Sequence, residues 1–294
     1  MPSTPEPAAQ AAAAQAAAAP AAAAPSAAAP TAAGTPLLSL HNGRATLTLN
    51  RPAQHNRLHV EDLLVLQRHF QTLAADTTVK LLVLTGSGSS FCSGFHIGEL
   101  DAGGDGAAAG AVNAASAGPQ LFEQTVDALE ALAVPTVCRL NGSVYGGATD
   151  LALACDFRVG VAAMALRMPA ARLGLHYYPN GLQRYVSRLG LATAKRLFLL
   201  AEAVPAAELL ALGYLDRLAA PDQLDAEVQA IADALAAGAP LALRGMKASL
   251  NEIARGGFNL PALREREALC ASSADLQEGK AAFAEKRAPR FVGR

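Results

Sequence analysis

The sequence predicts an α/β protein with a helical C-terminal region, and the distribution of apolar residues is what supports this class. Up to about residue 161, short apolar runs typical of strands alternate with segments of helical spacing. From Leu189 onward the pattern is helical throughout, with breaks at glycine and proline. Strands that alternate with helices, followed by helices alone, indicate an α/β core that continues into a helical part. Several folds satisfy this pattern.

The first predicted elements are a hairpin, a helix and a strand. Leu37–Leu40 and Ala45–Leu49 flank Asn42-Gly43, a dipeptide that favours the tight turn of a β-hairpin. Val60–Ala75 carries leucine and phenylalanine at helical spacing, which predicts an amphipathic helix. Val79–Leu84 is an apolar run typical of a buried strand.

The middle of the chain continues the alternation after a break. Ala102–Gly118 is rich in glycine and alanine and predicts a mobile loop. Gln120–Leu132 predicts an amphipathic helix, and Thr136–Leu140 predicts a buried strand. A short helix is then expected from Gly147, followed by a strand over Phe157–Val161.

Composition divides the chain into three parts. Residues 1–36 are almost wholly Ala, Pro, Ser and Thr, and their regularly spaced prolines predict a disordered tail rather than a helix. Residues 37–220 are expected to form the α/β core, and residues 221–294 the helical region. Within that region, Leu224–Leu235 and Leu241–Ile253 have more apolar positions than one layer of contact needs.

Charge and cysteine content exclude several functional classes. The formal net charge of −1 gives no basic field to attract nucleic acid or anionic lipid. The tail lacks the basic and leucine-rich parts of a signal peptide, and no unbroken apolar stretch elsewhere reaches the length of a membrane span. The four cysteines show neither disulfide-framework nor metal-binding spacing. We therefore expect a cytoplasmic protein without a metal site, a nucleic-acid partner or a membrane partner.

Two glycine-centred segments, Phe91–Leu100 and Asn141–Asp156, carry most of the functional information. Each follows a predicted strand and leads into a segment of helical spacing. A turn from a strand into a helix leaves backbone N–H groups unpaired and pointing outward. Two such turns can place a pair of N–H donors around one oxygen, which is the geometry of an oxyanion hole.

These segments resemble the motifs of the crotonase superfamily, also called the enoyl-CoA hydratase/isomerase family. The first turn there is similar to F-x-[AS]-G-x-D-[IL], and the second to N-G-x-x-x-G-G-G-x-E-L. Supporting matches are Leu47–Pro52, Gly174 followed by Gln183-Arg184, Ala207–Leu215 and Glu278–Arg287, so the resemblance runs from about Leu38 to about Phe291. It implies a crotonase-type spiral of ββα units, with a C-terminal helical region that builds homotrimers or dimers of trimers.

By this resemblance the chain binds an acyl-CoA, whose thioester oxygen lies between the backbone N–H groups of Phe95 and Gly147. Enolate charge collects on that oxygen. Asp150 matches the first of two catalytic glutamates of hydratases, and a helix N-terminus favours a charged carboxylate there. A carboxylate that only stabilises the helix is the alternative. No separate cofactor is expected, because coenzyme A is part of the substrate.

The position of the second hydratase glutamate is Ala170, which cannot transfer a proton. Just downstream, His176 and Tyr177 are candidate replacements, because histidine shuttles protons near neutral pH and tyrosine can donate one. By resemblance, a tyrosine at the position of Tyr177 lines the site of the methylmalonyl-CoA decarboxylase branch. A histidine and a tyrosine that only pack in a loop are the alternative.

The same resemblance implies seven contacts to coenzyme A or the substrate. They are His96, Ile97 and Gly98 beside the cleft, Arg51 and Arg57 on the loop before the first helix, and Phe283 and Lys286 from a neighbouring subunit. For the basic residues, a solvated surface position is the alternative.

The expected function is an acyl-CoA thioester enzyme that stabilises an enolate. The paired glycine turns and Asp150 favour an enoyl-CoA hydratase or isomerase, which belongs to fatty acid metabolism. Ala170 leaves two alternatives open: an acyl-CoA decarboxylase or thioester hydrolase of the same fold, and a catalytically silent acyl-CoA-binding protein.

Overall fold

The computed structural model describes residues 33–99 and 117–294, and Ala33–Arg294 form one compact unit. The predicted tail of residues 1–36 lies outside the described residues except for its last four. The predicted mobile loop of residues 102–118 likewise lies outside them except for its last two, which begin a helix.

The strands of the described part fall into two sheets. In chain order they are β1 (Leu37–His41), β2 (Arg44–Leu49), β3 (Leu81–Gly86), β4 (Thr136–Leu140), β5 (Val144–Tyr145), β6 (Phe157–Val161), β7 (Ala165–Arg167), β8 (Ala203–Pro205) and β9 (Arg217–Ala219). The larger sheet has the order β1-β2-β3-β4-β6-β9, and the smaller has the order β5-β7-β8. In the larger sheet every neighbouring pair is parallel except β1 and β2.

Helices connect and cover these sheets. They are α1 (Val60–Ala75), α2 (Ala117–Glu130), α3 (Gly147–Leu153), α4 (Pro179–Lys195), α5 (Ala206–Ala211), α6 (Leu224–Ala236), α7 (Pro240–Ala254), α8 (Leu260–Ala271) and α9 (Ala274–Glu285). A non-helical Gly190 interrupts α4, and a π-helical turn over Arg196–Leu200 follows it. Helix α1 packs against α2, and α6 packs across β3, β4, β6 and β9.

The predicted hairpin is confirmed and explains how the larger sheet begins. Asn42 and Gly43 both have positive φ, 49° and 78°, as a two-residue turn matched to the twist of a hairpin requires. Along β2, Ala45, Leu47 and Leu49 are buried and alternate with less buried residues, so one face of this strand lies on the core. The next strand, β3, is buried at all six positions, as a central parallel strand must be.

The chain then alternates between the two sheets. After β4 in the larger sheet it forms β5 in the smaller sheet and then α3, and after β6 it forms β7 and then α4. Each repeat is one of the expected ββα units. The predicted strand–turn–helix at Gly147 is confirmed, because α3 begins at that residue directly after β5.

The expectation that the chain is only helical after Leu189 is wrong at two places. Strand β8 pairs with β7, and β9 extends the larger sheet beside β6. Both have three residues, too few to show a periodic pattern, and they exist because a neighbouring strand offers unpaired backbone groups. The predicted boundary between residues 220 and 221 falls between β9 and α6.

Among the described residues, no single helix is both long and apolar enough to cross a membrane. Only α6 and α7 taken together have the length and composition to do so, and they are bent by 106° at the break between them.

Candidate active site

The two glycine turns lie against each other. The Tyr145 N–H donates to the Cys92 carbonyl at 3.0 Å, and the Phe91 N–H donates to the Ser143 carbonyl at 3.2 Å. Gly94 has a φ of +96°, and a Cβ there would lie 2.8 Å from the Tyr145 carbonyl oxygen. Only glycine allows both this conformation and this approach, so Gly94 fixes the position of one turn on the other.

This contact leaves two backbone N–H groups unpaired at one place. The bonds around the first turn run from Leu58 N–H to Gly94 and from His96 N–H to Leu58, both at 2.9 Å, and they omit the N–H of Phe95. Gly147 is the first residue of α3, where an N–H has no partner within the helix. Within residues 33–99 and 117–294, neither N–H has a hydrogen-bond acceptor.

Both residues line a cavity of about 200 Å³. Its wall is mostly apolar and aromatic and is formed by Ser93, Gly94, Phe95, Ile97, Pro119, Phe122, Tyr145, Gly146, Gly147, Met168, Pro169, Ala170, Leu173, Leu175, His176, Tyr177 and Tyr178. No aspartate or glutamate of the described residues belongs to this wall. Ala170 occupies it as a buried methyl group, 4% exposed, where the resemblance places a glutamate in hydratases.

Asp150 does not lie on the cavity wall. It is fully buried in α3, where its Oδ2 accepts hydrogen bonds from Arg184 Nη1, at 2.7 Å, and from the Tyr178 hydroxyl. Its Oδ1 is buried and has no hydrogen-bond partner among the described residues. The close packing depends on Gly181 in α4, because a Cβ there would lie 2.8 Å from Asp150 Oδ2.

Arg184 joins Asp150 to further charges beneath the cavity. Its guanidinium, 2% exposed, also pairs with Asp127 at 2.6 Å and with Glu130 at 3.1 Å, both on α2. Glu130 in turn pairs with Arg188, at 2.8 Å, and with Arg255, the residue that follows α7. Together Asp127, Glu130, Asp150, Arg184, Arg188 and Arg255 form a balanced set of three carboxylates and three guanidiniums. We call this set the buried ionic network after its core of Glu130, Asp150 and Arg184, and Arg255 lies at its exposed end.

The pKa values of two carboxyls of the buried ionic network are shifted in opposite directions. Burial opposes charge on Glu130, but its arginine partners outweigh that effect and lower its pKa to about 2. Burial raises the pKa of Asp150, and Arg184 and the Tyr178 hydroxyl reduce this rise without cancelling it. Glu130 is therefore a fixed negative charge, whereas Asp150 is the carboxyl that can take up a proton.

Tyr177 and Tyr178 lie between the cavity and Asp150. Their rings stack with centroids 4.4 Å apart, and their hydroxyl oxygens are 3.5 Å apart. Both residues line the cavity, but only Tyr178 bonds the carboxylate of Asp150. Burial first, and then neighbouring negative charge, holds the pKa of Tyr178 well above its usual range.

The remaining predicted residues near the cavity have mixed surroundings. His176 lines the cavity, and its Nδ1 lies 2.8 Å from the Tyr177 carbonyl oxygen. Ile97 lines it as well and is 54% exposed. His96 and Gly98 flank Ile97 but do not belong to the wall, and the His96 ring lies 4.9 Å from that of His59.

Four predicted contacts lie away from this cavity. Arg51 pairs with Asp62 at 2.9 Å and with Glu61, so its guanidinium supports the start of α1. Arg57 lies on the same loop, outside the cavity wall. Phe283 is 88% exposed near the end of α9, and Lys286 follows that helix in a left-handed conformation. Neither belongs to the wall of the cavity in its own chain.

Three side chains beside the cavity could hold a metal ion. His59, His96 and Glu99 each offer one ligand atom, and these atoms lie within 4.8 Å of one another. Hydrogen bonding already accounts for most of this cluster, because Glu99 contacts His59 Nδ1 at 2.6 Å and accepts from the Val60 N–H at 2.8 Å. The expected lack of a metal site stays a prediction.

Sequence reasoning missed Tyr178 and Glu130. Tyr178 stands beside the chosen Tyr177, and no local pattern separates two adjacent tyrosines. Glu130 lies in an ordinary amphipathic helix and meets Arg184 54 residues away. A signal was present in Arg184 itself, which belongs to a segment that matches the family but carried no predicted role.

The structure is thus an α/β protein of ββα units, with an apolar cavity whose lining residues include two with unpaired backbone N–H groups. The chain belongs to the enoyl-CoA hydratase/isomerase family, whose model matches residues 40–294. The resemblance found in the sequence is confirmed.

Named relatives and a solved structure agree with this membership. The chain is 31% identical over 253 residues to the crotonyl-CoA hydratase of Syntrophomonas wolfei, covering 85% of this chain and 95% of that one. It is 29% identical over 250 residues to the 2,3-dehydroadipyl-CoA hydratase of Escherichia coli, covering 84% and 94%.

An enoyl-CoA hydratase/carnithine racemase from Magnetospirillum magneticum superposes with a TM-score of 0.81 at 29% identity, covering 89% of this chain and 96% of that one. The crotonase-type fold expected from the sequence is thereby confirmed.

Proposed function

We propose that this protein is an acyl-CoA thioester enzyme of the enoyl-CoA hydratase/isomerase type. The observation that carries the proposal is the pair of unpaired N–H groups, Phe95 and Gly147, on the wall of one apolar cavity. In the proposal both donate to the thioester oxygen. That oxygen becomes negative when the enolate forms, so donors already in place stabilise the transition state more than the ground state.

The composition of the cavity wall supports an acyl group as the occupant. Apolar and aromatic side chains such as Phe122, Met168 and Leu175 surround the paired N–H groups. Such a wall removes apolar surface from water at about 25 cal/mol per Å². It also keeps water from competing for the N–H donors. Coenzyme A enters as part of the substrate, and no separate cofactor is proposed.

The relatives supply the first substrate to test. Because one of them is named a crotonyl-CoA hydratase, crotonyl-CoA is the starting compound. Loss of the absorbance of the conjugated thioester, with 3-hydroxybutyryl-CoA identified by mass spectrometry, would establish hydration. Binding without turnover of crotonyl-CoA and of a wider acyl-CoA panel would instead indicate a silent acyl-CoA-binding protein.

The alanine at position 170 motivates one extension of that panel. With no carboxylate of the described residues on the cavity wall, an acyl-CoA decarboxylase or thioester hydrolase is the second candidate. Malonyl- and methylmalonyl-CoA test decarboxylation through release of CO₂. Release of free coenzyme A from saturated acyl-CoAs tests hydrolysis.

We further propose that the protein assembles as a homotrimer or a dimer of trimers. Large apolar side chains are exposed along the C-terminal helices: Met246, Leu250, Ile253, Leu269 and Phe283. An exposed apolar surface of this kind is typical of an interface. Phe283 and Lys286 would then meet coenzyme A bound to a neighbouring subunit. Sedimentation analysis tests the assembly, and a monomer with full affinity for coenzyme A would contradict the shared site.

Location and pathway complete the proposal. We place the protein in the cytoplasm and in fatty acid metabolism. The location is supported by Cys92, Cys138, Cys155 and Cys270, all free thiols as a reducing compartment maintains them.

A further inference from the structure

We propose that Tyr178 is the group that exchanges protons with the substrate, and that Asp150 acts behind it as a temporary proton acceptor. This inference rests on the proposed function. It assigns a catalytic role to Tyr178, which touches the cavity, and a positioning and proton-storing role to Asp150, which does not.

Asp150 is separated from the cavity by another side chain. Its side chain is fully buried and absent from the cavity wall. The Tyr178 hydroxyl donates to Asp150 Oδ2, and Tyr178 is one of the residues that line the cavity. A proton can therefore pass between the cavity and Asp150 through the Tyr178 oxygen, over two hydrogen-bonded atoms.

The surroundings of the Asp150 carboxylate favour uptake of a proton. Its Oδ1 has no hydrogen-bond partner among the described residues, which leaves its negative charge only partly compensated. Arg184 is shared with Asp127 and Glu130, so Asp150 does not have this cation to itself. When two neighbouring carboxyls have pKa values pushed apart, they are suited to different tasks. Here Glu130 stays charged and Asp150 takes up the proton.

Tyr178 depends on Asp150 to exchange a proton with the substrate. Burial and the charge of Asp150 keep the pKa of Tyr178 well above its usual range, so the phenol does not ionise by itself. It can accept a proton from the substrate side only while its own proton moves to Asp150. The two groups therefore act as one unit.

For hydration the transfers balance as follows. The oxygen of a water molecule bonds to C3 of the enoyl group, one water proton passes to Tyr178 Oη, and the Tyr178 proton passes to Asp150 Oδ2. The π pair of the C2–C3 bond becomes the C1–C2 double bond of the enolate, and the carbonyl π pair moves onto the thioester oxygen, where the N–H groups of Phe95 and Gly147 hold the charge. The carbonyl then re-forms as C2 takes the Tyr178 proton, and the Asp150 proton returns to Tyr178. Water has been added, and both side chains regain their starting states.

The adjacent tyrosine offers a matched control. Tyr177→Phe and Tyr178→Phe each remove one hydroxyl from neighbouring stacked rings, but only Tyr178 bonds Asp150. General acid–base catalysis contributes about 10²- to 10⁴-fold to rate. We expect kcat for crotonyl-CoA to fall by about 10²-fold or more in Tyr178→Phe. In Tyr177→Phe we expect a smaller loss, of less than about tenfold, because Tyr178 keeps its bond to Asp150 and only the 3.5 Å contact from the Tyr177 hydroxyl is removed.

Asp150→Asn tests the second member of the pair. The amide keeps the shape of the side chain but cannot take up the proton, so kcat should fall as far as in Tyr178→Phe. The double variant that combines Tyr178→Phe with Asp150→Asn should have a kcat no lower than that of either single variant, because residues that act as one unit give non-additive losses. The midpoint of thermal unfolding and the Kd for crotonyl-CoA, measured on all four variants, separate this loss from misfolding.

The pH profile provides a readout that a structural role would not move. Asp150 must be ionised to accept a proton, so kcat of the wild type should fall on the acidic side, and Asp150→Asn should lose that dependence. The titratable groups that face Asp150 are Tyr177, Tyr178, Arg184, Tyr185, Glu130 and Tyr214. His176 also lines the cavity, and His176→Gln shows whether the acidic limb belongs to it instead.

Exchange of the α-hydrogens of butyryl-CoA into D₂O, followed by mass spectrometry, tests the same proton transfer without hydration. Exchange by the wild type that is lost in Tyr178→Phe supports the inference. A Tyr178→Phe variant that keeps wild-type kcat and exchange overturns it and leaves the proposed function standing. A wild type that neither turns over any acyl-CoA nor exchanges these hydrogens overturns both.

Discussion

The wall of the cavity and the side chains directly behind it differ in charge. The wall presents apolar and aromatic side chains, and none of the described residues contributes a carboxylate to it. One side chain deeper, the buried ionic network holds three carboxylates and three guanidiniums. Charge is thus kept off the cavity wall, and in the proposed relay it connects to the substrate through the Tyr178 hydroxyl. The proposal therefore assigns substrate binding and proton transfer to different layers.

The same contrast exists between two carboxyls of the buried ionic network. Glu130 has three arginine partners and a depressed pKa, whereas Asp150 has one shared arginine, one tyrosine hydroxyl and a raised pKa. Glu130 is suited to hold the structure together, and Asp150 is suited to change its charge.

The largest effect on stability is expected from Arg184→Met. Removing one partner of a buried ion pair leaves uncompensated charge and costs about 3–5 kcal/mol. Here Asp127, Glu130 and Asp150 lose a shared cation, so the free energy of unfolding in urea should fall by about that amount. Arg196→Met is the control, because its pairs with Glu202 and Glu208 are at the surface and should contribute much less. Equal losses in both variants would remove the distinction between the layers.

Acid titration of stability separates the two carboxyls. The pKa of Glu130 falls from 4.5 to about 2 on folding, so its contribution is present above pH 4.5 and is lost as the pH falls toward 2. The difference in unfolding free energy between wild type and Glu130→Gln should shrink by about 2–3 kcal/mol over that interval.

For Asp150, the change in unfolding free energy with pH should have the opposite sign to that for Glu130. Its pKa is raised on folding, so the folded state binds the proton more tightly and the wild type gains stability relative to Asp150→Asn as the pH falls. Urea unfolding at a series of pH values measures both differences. If the differences in unfolding free energy from wild type changed with pH in the same direction for Glu130→Gln and Asp150→Asn, the assignment of separate roles would be wrong.

Gly181→Ala tests the contact between α4 and the relay. An added Cβ would lie 2.4 Å from Tyr177 Cε1 and 2.8 Å from Asp150 Oδ2, so the helix must move. Overpacking of this kind costs about 1–3 kcal/mol, and the shift of Tyr178 should also lower kcat. Gly245→Ala in α7 is the control, because its nearest neighbour would be Arg266 Cβ at 3.7 Å. A helical alanine there should stabilise the protein by up to about 1 kcal/mol.

Much of the fold follows from local pattern. The Asn42-Gly43 turn, the apolar spacing of α1 and the glycine turn at Gly147 each contain their own physical cause, and the structure has them where the sequence predicts them. Strands β8 and β9 could not be predicted because they depend on unpaired edges supplied by β7 and β6. Short strands are a property of their neighbours more than of their own residues.

The site divides in the same way. The unpaired N–H of Gly147 follows from a strand-to-helix turn that is visible in the sequence, whereas the N–H of Phe95 is left unpaired by a parallel bridge to Leu58, a residue distant in the chain. The position of Asp150 is not visible in the sequence either, because it depends on contacts with Tyr178 and Arg184, 28 and 34 residues away. Whether a carboxylate faces the substrate or lies one layer deeper is decided by packing, and a motif cannot express it.

In the proposed mechanism the N–H of Gly147 stabilises charge on the thioester oxygen, and a comparison of Gly147→Pro with Gly147→Ala tests this role. Both variants add a Cβ that meets Phe122 at 2.7 Å, but only proline removes the N–H, and the first helical residue tolerates proline well. Loss of one such donor lowers kcat by about 10²- to 10³-fold. We predict that kcat for crotonyl-CoA is lower in Gly147→Pro than in Gly147→Ala by about that factor. Equal kcat values in two folded variants would contradict the account.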